Sequence, residues 1–593
     1  MNVTRTFDLL DLYRDQHIKP DVFNIKQQGK WIAYSSQDYI DYSYDFSCGL
    51  LALGFKQGDK IVTITNNRPE WNFVDVGTAM IGIIHVPLFT SLGIDELKFI
   101  IRHSGARAVF VSDNKFYNLI NQIINEIDET VSLFSFDQVK EARNWMEVVE
   151  LGRKSREKYL REVEAIKKTI TSADWATLIY TSGTTGTAKG VMLSHKNLVE
   201  NFKAASTVFG MGPSDKYLSI LPLCHVGGRM GNYQTQFSGS SIYYAESMGT
   251  IASDMKEIHA DGFDAVPRIL EKIFNSVVAK GNKLTGIKKK LFFWAVRLGL
   301  RYKLPDDSTW IYRKKLSLAD KLIFSKWREA LGGNVKLAGC GGASLQPRLE
   351  RVFWAAGIKI INMYGLTETS PVITINRQNK PLLKLGSVGC VIPGVEVKIA
   401  GDGEILSRGH NIMKGYYKDD QLTREVLDKD GWFYTGDIGR LDEEGFLFIT
   451  DRKKDVFKLS NGKFISPQEM EGRLKESMFI EHSIVVGEHQ KFVSALIVPD
   501  LAYLRSWCQK HDLAFNNPEE MISLTQVKSV YDEEIKKLNK SLNPHEQINR
   551  FKLIPDEWSP DSGELSTTLK LRRTFILTKY ASVLARIYPK TEI

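Results

Sequence analysis

Trp175-Ala-Thr-Leu-Ile-Tyr-Thr181, then Ser182-Gly-Thr-Thr-Gly-Thr-Ala-Lys-Gly190, then Ser194-His-Lys-Asn-Leu-Val-Glu-Asn-Phe-Lys-Ala-Ala205 is the stretch that decides the fold. The first seven residues are apolar and β-rich, as a buried strand requires. In the last twelve, Leu198, Val199, Phe202 and Ala205 line one helical face, and Ser194 stands where its hydroxyl can accept free backbone N–H groups. From Thr181 to Gly190, eight of ten residues are Ser, Thr or Gly. Glycines let backbone N–H groups approach phosphate oxygens, hydroxyls add donors, and Lys189 neutralises charge. The stretch therefore predicts a phosphate-binding loop set directly between a buried strand and a capped helix. It is not the Walker A form, because Gly29-Lys30 and Gly462-Lys463 are followed by Trp31 and Phe464 rather than Ser or Thr, which disfavours kinase and GTPase chemistry.

Outward from this loop the chain alternates short β-branched runs with longer periodic ones. Lys60 to Thr65, Ile84 to Leu88 and Ala106 to Val111 read as strands; Glu70 to Ile83 and Asp95 to His103 read as helices. That alternation predicts an α/β fold built on a mostly parallel, helix-covered sheet. On the other side, the charged string Asp451-Arg-Lys-Lys-Asp455 follows a strand-like Gly445 to Thr450 and precedes a new pattern. There Asn461-Gly462 predicts a two-residue hairpin turn, and Ser466-Pro-Gln-Glu469 a capping box that starts a helix running to about Ser477. The expected organisation is a large N-terminal domain over residues 1–450, a hinge at 451–455, and a small α+β C-terminal domain over 456–593.

At 593 residues, 43% hydrophobic and 25% charged, the chain can bury several cores, which excludes a disordered segment or a small stapled scaffold. Five cysteines, widely spaced and without a C-x-x-C pair, argue against a disulfide framework or a structural zinc site. The N-terminus lacks a basic region leading into an apolar one, and the longest apolar stretch, Val76 to Phe89, is interrupted by His85 and Pro87. The expectation is a cytoplasmic protein with no membrane span. The net charge of +9 is unevenly spread: from Lys280 to Glu329, fourteen basic residues face four acidic ones, interleaved with Phe292, Phe293, Trp294, Trp310 and Tyr312. Two readings stay open for residues 280–328: a solvated helical face, or a peripheral contact with anionic lipid at the inner face of the cell membrane. Nucleic acid is disfavoured, since no recognition motif accompanies the charge.

Tyr180 to Gly190 resembles the signature loop of the adenylate-forming (acyl-activating) superfamily. Further blocks similar to that family's motifs follow in order: Leu221-Pro-Leu-Cys-His225, Gly341-Gly-Ala343, Tyr364-Gly-Leu-Thr-Glu-Thr369, Trp432-Phe-Tyr-Thr-Gly-Asp437, Asp451-Arg-Lys-Lys-Asp455 and Leu565-Ser-Thr-Thr-Leu-Lys570. Val266-Pro-Arg-Ile-Leu-Glu-Lys272 and the segment Lys288 to Leu331 resemble long-chain fatty acyl-CoA synthetases in particular.

The resemblance implies ATP-dependent activation of a fatty acid to acyl-AMP with release of pyrophosphate, then transfer to coenzyme A. It assigns Lys570, Glu368, His225 and Thr181 to catalysis, with Glu368 and Thr181 as Mg2+ ligands. ATP would be held by Thr181, Ser182, Gly183, Thr184, Thr185, Gly186, Lys189, Gly341, Gly342, Ala343, Tyr364, Gly365, Thr367, Asp437, Arg452 and Lys458. Lys454 would be the hinge about which a mobile C-terminal domain turns, and Ser460, Asn461 and Gly462 would line the coenzyme A path. One departure stands out: where some members carry a gating tryptophan after the histidine, this chain has Gly227-Gly228-Arg229, and the two glycines predict a roomy access. Two alternatives stay open, an acyl-AMP ligase loading a carrier protein and a catalytically silent lipid-binding scaffold. Cys224 beside His225 is not read as a nucleophilic dyad, because neighbours in a strand point to opposite faces.

Overall fold

The computed structural model describes residues 2–127, 130–140, 142–181, 188–559, 561–566 and 570–588. The chain forms two compact units. The larger comprises Met1–Lys398, Leu406–Tyr434 and Glu443–Leu447; the smaller comprises Ile399–Ile405, Thr435–Asp442 and Phe448–Ile593.

Two large sheets organise the larger unit. One has seven strands in the order Gly415–Tyr416, Lys189–Ser194, Trp175–Thr181, Ile84–Leu88, Lys60–Ile64, Ala108–Val111 and Ser132–Ser135. The strands from Trp175–Thr181 to Ser132–Ser135 run parallel, as the alternating pattern predicts, and the Pro69–Met80 helix is buried throughout. The other sheet has nine strands, in the order Cys390–Val391, Val372–Ile375, Lys359–Gly365, Leu337–Cys340, Gly262–Ala265, Lys216–Ser219, Ser241–Tyr244, Phe23–Gln27 and Lys30–Tyr34. Its middle is parallel and its edges antiparallel. In such sheets ligands gather beyond the carboxyl ends of the strands, where Thr181, Gly341 and Gly365 lie.

The decisive stretch folds partly as expected. Ser194 Oγ accepts the Asn197 N–H at 3.2 Å while Asn197 Oδ1 accepts the Ser194 N–H at 2.8 Å, so a capping box starts the His195–Phe209 helix. Leu198, Val199, Phe202 and Ala205 are buried. The loop, however, does not lead directly into that helix. Lys189–Ser194 is a strand paired antiparallel with Trp175–Thr181, in register Ile179 to Val191 and Thr181 to Lys189, so a strand stands between the loop and the helix. A short apolar run such as Gly190-Val-Met-Leu193 carries no period that separates a buried strand from the start of a helix.

The smaller unit carries a three-stranded sheet of Ile480–Val486, Val493–Pro499 and Ile548–Leu553, with Val485, Ala495 and Ile497 inside a core shared with Leu504, Tyr531 and Ile535. A four-stranded sheet of Val395–Ile399, Glu404–Gly409, Phe433–Leu441 and Leu447–Arg452 contributes residues to both units. Among the described residues no helix is long and apolar enough to cross a membrane.

Candidate functional site

In the larger unit, the expected residues collect on three loops. Thr181 is the last residue of its strand, and Lys189 opens the returning one. Ser182, Gly183, Thr184, Thr185 and Gly186 lie outside the described residues. Gly341-Gly342-Ala343 follows the Leu337–Cys340 strand; Gly342 has φ +81°, a left-handed conformation that favours glycine, and Gly342 and Ala343 are exposed. Tyr364, 8% exposed, and Gly365 end the Lys359–Gly365 strand. A Cβ at Gly365 would lie 1.7 Å from the Pro371 carbonyl oxygen, so the chain can turn here only with glycine.

After Gly365 comes a single helical turn, Thr367–Thr369, that presents Glu368. Thr369 Oγ1 holds the turn, accepting the Leu366 N–H at 2.9 Å and donating to Pro371 O at 2.5 Å. Glu368 Oε1 accepts the Tyr416 hydroxyl at 2.8 Å, which leaves its second oxygen for a ligand. Tyr416 itself pairs with Val191 in the strand returning from the phosphate loop, and the Lys189 ammonium sits 5.5 Å from the Tyr416 ring centroid. Burial, reinforced by the Glu368 carboxylate, pushes the Tyr416 hydroxyl far above its ordinary pKa and keeps it a donor. One tyrosine, which no sequence motif singled out, thus brings Glu368 and Lys189 together.

A divalent cation of the Mg2+ kind suits this arrangement. Among the described residues no cluster of three His, Cys, Asp or Glu could enclose a metal. A free carboxylate oxygen of Glu368 and a threonine hydroxyl are hard oxygen donors of the type Mg2+ takes beside substrate phosphates and water.

His225 is not in a strand. It is the N-cap of the Val226–Phe237 helix, and its Nδ1 accepts the Gly227 N–H at 3.0 Å. An accepting Nδ1 puts the proton of the neutral imidazole on Nε2, which is then a donor suited to a carboxylate oxygen. Cys224 is buried, and burial pushes its thiol far above the ordinary range, which disfavours the thiolate a nucleophile needs.

At Gly227-Gly228-Arg229, where a roomy access is expected, Gly228 and Arg229 are both buried in the start of the helix. A Cβ at Gly228 would fall 2.3 Å from Pro222 O, so this glycine exists for close backbone packing. Arg229, 1% exposed, points into the core and donates to Thr177 Oγ1 at 2.5 Å.

In the smaller unit, Asp437 lies in the Phe433–Leu441 strand, its side chain largely buried, with Arg452 Nε 3.3 Å from Oδ1. Lys453, which the motif left unassigned, is tied to Asp402 and Glu404, 2.7 Å from each, and its N–H donates to Gly436 O. Lys454 is exposed at the turn that follows.

Asp451 is fully buried, accepts the Arg452 and Gln468 N–H groups at 2.7 and 3.2 Å, and is pushed by burial up to about 7. It thereby occupies the amide that opens the Pro467–Leu474 helix, and Glu469 turns to Arg473 at 2.6 Å. Ser466 makes no side-chain cap bond, so the capping box expected there does not form, and the helix ends three residues before Ser477.

The turn at Asn461-Gly462 is also longer than expected. Phe457–Lys458 pairs with Phe464–Ile465, and Leu459 exchanges bonds with Lys463 and Gly462 at 2.9 Å, leaving a three-residue loop, Ser460-Asn461-Gly462, with Gly462 at φ +86°. Lys458 and all three loop residues are exposed. The Lys570 carbonyl accepts the Ser566 N–H at 2.7 Å.

Residues 15–417 match the AMP-binding enzyme family, and residues 454–592 match the AMP-binding enzyme C-terminal domain. The chain is 30% identical over 576 residues to the long-chain-fatty-acid–CoA ligase FadD15 of Mycobacterium bovis, covering 95% of this chain and 93% of that one. It is 30% identical to human long-chain-fatty-acid–CoA ligase 1, covering 97% and 84%. In fold it is similar to the anthranilate CoA ligase AuaEII solved with anthranoyl-AMP, with a TM-score of 0.73 at 17% identity over 98% of both chains. It is similar as well to ATP-bound MatB from Rhodopseudomonas palustris, with a TM-score of 0.72 at 21% identity over 98% of this chain and all of that one.

Proposed function

Because the chain belongs to the AMP-binding enzyme family, we propose that it is an ATP-dependent long-chain fatty acid–CoA ligase working in two half-reactions. In the first, a fatty-acid carboxylate oxygen bonds to the α-phosphorus of ATP as the bond to the β-phosphate oxygen breaks, giving acyl-AMP and pyrophosphate. In the second, the coenzyme A sulfur bonds to the acyl carbonyl carbon, the bond to the AMP oxygen breaks, and the thiol proton is lost. The observation that carries the reading is Glu368, held at 2.8 Å by Tyr416 beside the strand that opens with Lys189. Full-length relatives named as long-chain-fatty-acid–CoA ligases support the substrate class.

Each residue receives one task. Negative charge builds on the phosphoryl oxygens as acyl-AMP forms, so positioned donors and cations matter more than an acid or a base. Ser182 to Gly186, with Lys189, cradle the phosphates. Gly341-Gly342-Ala343 and Tyr364 hold adenine, Gly365 and Thr367 shape that wall, and Asp437 takes the ribose hydroxyls with Arg452 beside it. His225 Nε2–H steadies the fatty-acid carboxylate, and Lys570 bridges that carboxylate and the α-phosphate. Thr181 and Glu368 hold Mg2+, which when bound neutralises phosphate charge. After adenylation the smaller unit turns about residues 451–455 at Lys454, withdrawing Lys570 and bringing in Ser460-Asn461-Gly462 for coenzyme A, with Lys458 serving either state. The basic segment 280–328 meets anionic lipid, the phase in which long-chain acids accumulate.

Separated half-reactions test this. Lys570→Ala is expected to lose carboxylate-dependent ATP–pyrophosphate exchange by about 100-fold or more, yet to convert supplied acyl-AMP and coenzyme A within a few-fold of the parent rate. Equal loss in both steps overturns the division of labour. Release of pyrophosphate by acids of increasing length, without any acyl-CoA product, would point instead to a carrier-protein acceptor.

A further inference from the structure

The Val226–Phe237 helix is buried along its length, yet Arg229, Asn232, Gln234, Thr235 and Gln236 are all inside it. Polar groups persist in a core chiefly where they find partners, and two of the partners here, Asn72 and Asp75, lie on one neighbour, the Pro69–Met80 helix. Asn232 Nδ2 and Gln236 Nε2 donate to Asn72 Oδ1 at 2.7 and 3.2 Å. One turn earlier, Arg229 Nη2 and the Tyr233 hydroxyl both donate to the Asp75 carboxylate, and Arg229 Nε donates to the Tyr233 oxygen at 3.1 Å. Residues 229, 232, 233 and 236 fall on one helical face.

Asp75 is a junction. Its Oδ1 also accepts His85 Nδ1–H at 2.7 Å, and His85 Nε2 accepts the Thr63 hydroxyl at 2.7 Å. Burial alone would raise the Asp75 carboxyl, but Arg229, His85 and Tyr233 reverse the effect and hold it below the ordinary range. The guanidinium reaches in a second direction too. Its Nη1 donates at 2.5 Å to Thr177 Oγ1, in the strand that ends at Thr181, and Thr177 Oγ1 in turn donates to His85 O at 2.7 Å.

Arg229 is also the residue whose N–H donates to the His225 carbonyl at 3.0 Å, the first helical bond after the cap. There is no slack in that turn, since Gly228 packs its backbone against Pro222 O. An anchored guanidinium four residues from the cap therefore fixes both the rotation of the helix and its height above the strand.

We propose that Arg229 is a positioning residue for the adenylation step, setting His225 through its bonds to Asp75 and Thr177 and registering the His225 helix against the strand that leads into the phosphate loop. The inference rests on reading His225 as the group that meets the fatty-acid carboxylate. Arg229 touches no substrate; its effect reaches the reaction only through His225.

A kinetic cycle on the full-length enzyme tests it. Arg229→Lys keeps the charge but loses the forked reach to Asp75 and Thr177. It is expected to lower kcat/KM for the fatty acid in pyrophosphate exchange by about 10–100-fold, the size of effect a small misplacement brings, with KM for ATP within about twofold of the parent. In a His225→Ala background the same change is expected to alter fatty-acid kcat/KM by less than about twofold, because nothing is left to position. Full additivity in the double variant, or an equal rise in both KM values, overturns the inference while leaving the assignment of His225 intact. Unchanged fatty-acid kinetics in His225→Ala alone overturns that assignment and the inference with it. If Arg229→Lys does not fold, Thr177→Val keeps the ion pair and removes the tie to the strand together with the Thr177 bond to His85 O; the same cycle then applies, with an expected loss of about threefold, and additivity again counts against the proposal.

Discussion

Tyr416 links the phosphate loop to the acidic turn by one hydroxyl and one ring. Its hydroxyl donates to Glu368 Oε1, and its ring lies 5.5 Å from the Lys189 ammonium. Tyr416→Phe removes the first contact and keeps the second. A hydrogen bond to a charged acceptor is worth about 1.5–3 kcal/mol, and each 1.4 kcal/mol is tenfold in an equilibrium or rate. The variant is therefore expected to lose about 10–100-fold in kcat/KM for ATP during adenylation, while thioester formation from supplied acyl-AMP stays within about threefold. Equal losses in the two steps would show that Tyr416 serves the fold alone. No spacing in the sequence points to this tyrosine, since its partners stand 48 and 227 positions away and meet it only through the pairing of Gly415–Tyr416 with the Lys189–Ser194 strand. Arg229 is similarly hidden: beside two glycines it reads as an access residue, and only the buried Asp75 carboxylate turns it inward.

Single elements were legible where local chemistry decides them. Ala108–Val111 forms as a strand because it is uniformly apolar, with β-branched Val109 and Val111, and the His195–Phe209 helix starts where Ser194 can accept one of its first amides. The misreadings have long-range causes. A strand follows the phosphate loop because Val191 and Leu193 pair back onto the strand before it, and the capping box at Ser466 fails because the Glu469 carboxylate turns to Arg473. The Ser460-Asn461-Gly462 turn is intermediate: the positive φ was foreseen at Gly462, but not the third loop residue. At φ +86° a β-branched side chain is strained whatever space surrounds it, and the nearest side-chain atom to a Cβ there is Lys458 Cε at 3.7 Å. Gly462→Val should thus distort this exposed turn without reaching a core. Its expected signature is the mirror of Lys570→Ala, with pyrophosphate exchange within about threefold of the parent and acyl-AMP thiolysis reduced by about tenfold or more. Loss of exchange together with thiolysis would mean that the turn merely packs.

Across the whole molecule, the uneven charge acquires a direction once burial is known. In the Trp310–Ala319 helix and the wider turn Asp320–Phe324, the inward positions are Ala319 and Phe324. Outside lie Trp310, Ile311, Leu318 and Leu322, at 65, 60, 50 and 36% exposure, beside the exposed Lys314, Lys315 and Lys321. Ile311, Lys315, Leu318 and Leu322 follow one another by four, three and four residues, a single face. A solvated structural helix has no reason to turn four large apolar residues outward, whereas a helix lying in a lipid headgroup layer needs them, with lysines at phosphate level. Each lysine near an anionic surface contributes about 1 kcal/mol, and that attraction fades once salt shortens the Debye length from about 10 Å at 0.1 M to about 3 Å at 1 M. The enzyme is expected to sediment with vesicles containing a third phosphatidylglycerol, to ignore pure phosphatidylcholine, and to be released as salt rises. Replacing Ile311, Leu318 and Leu322 by serine should weaken vesicle binding about tenfold or more while leaving pyrophosphate exchange with a short, soluble acid within about twofold, because none of these residues touches the nucleotide loops. If the parent enzyme ignores anionic vesicles at low salt, or the serine variant binds them equally well, the exposed stripe has no lipid role and the charge excess serves solubility alone.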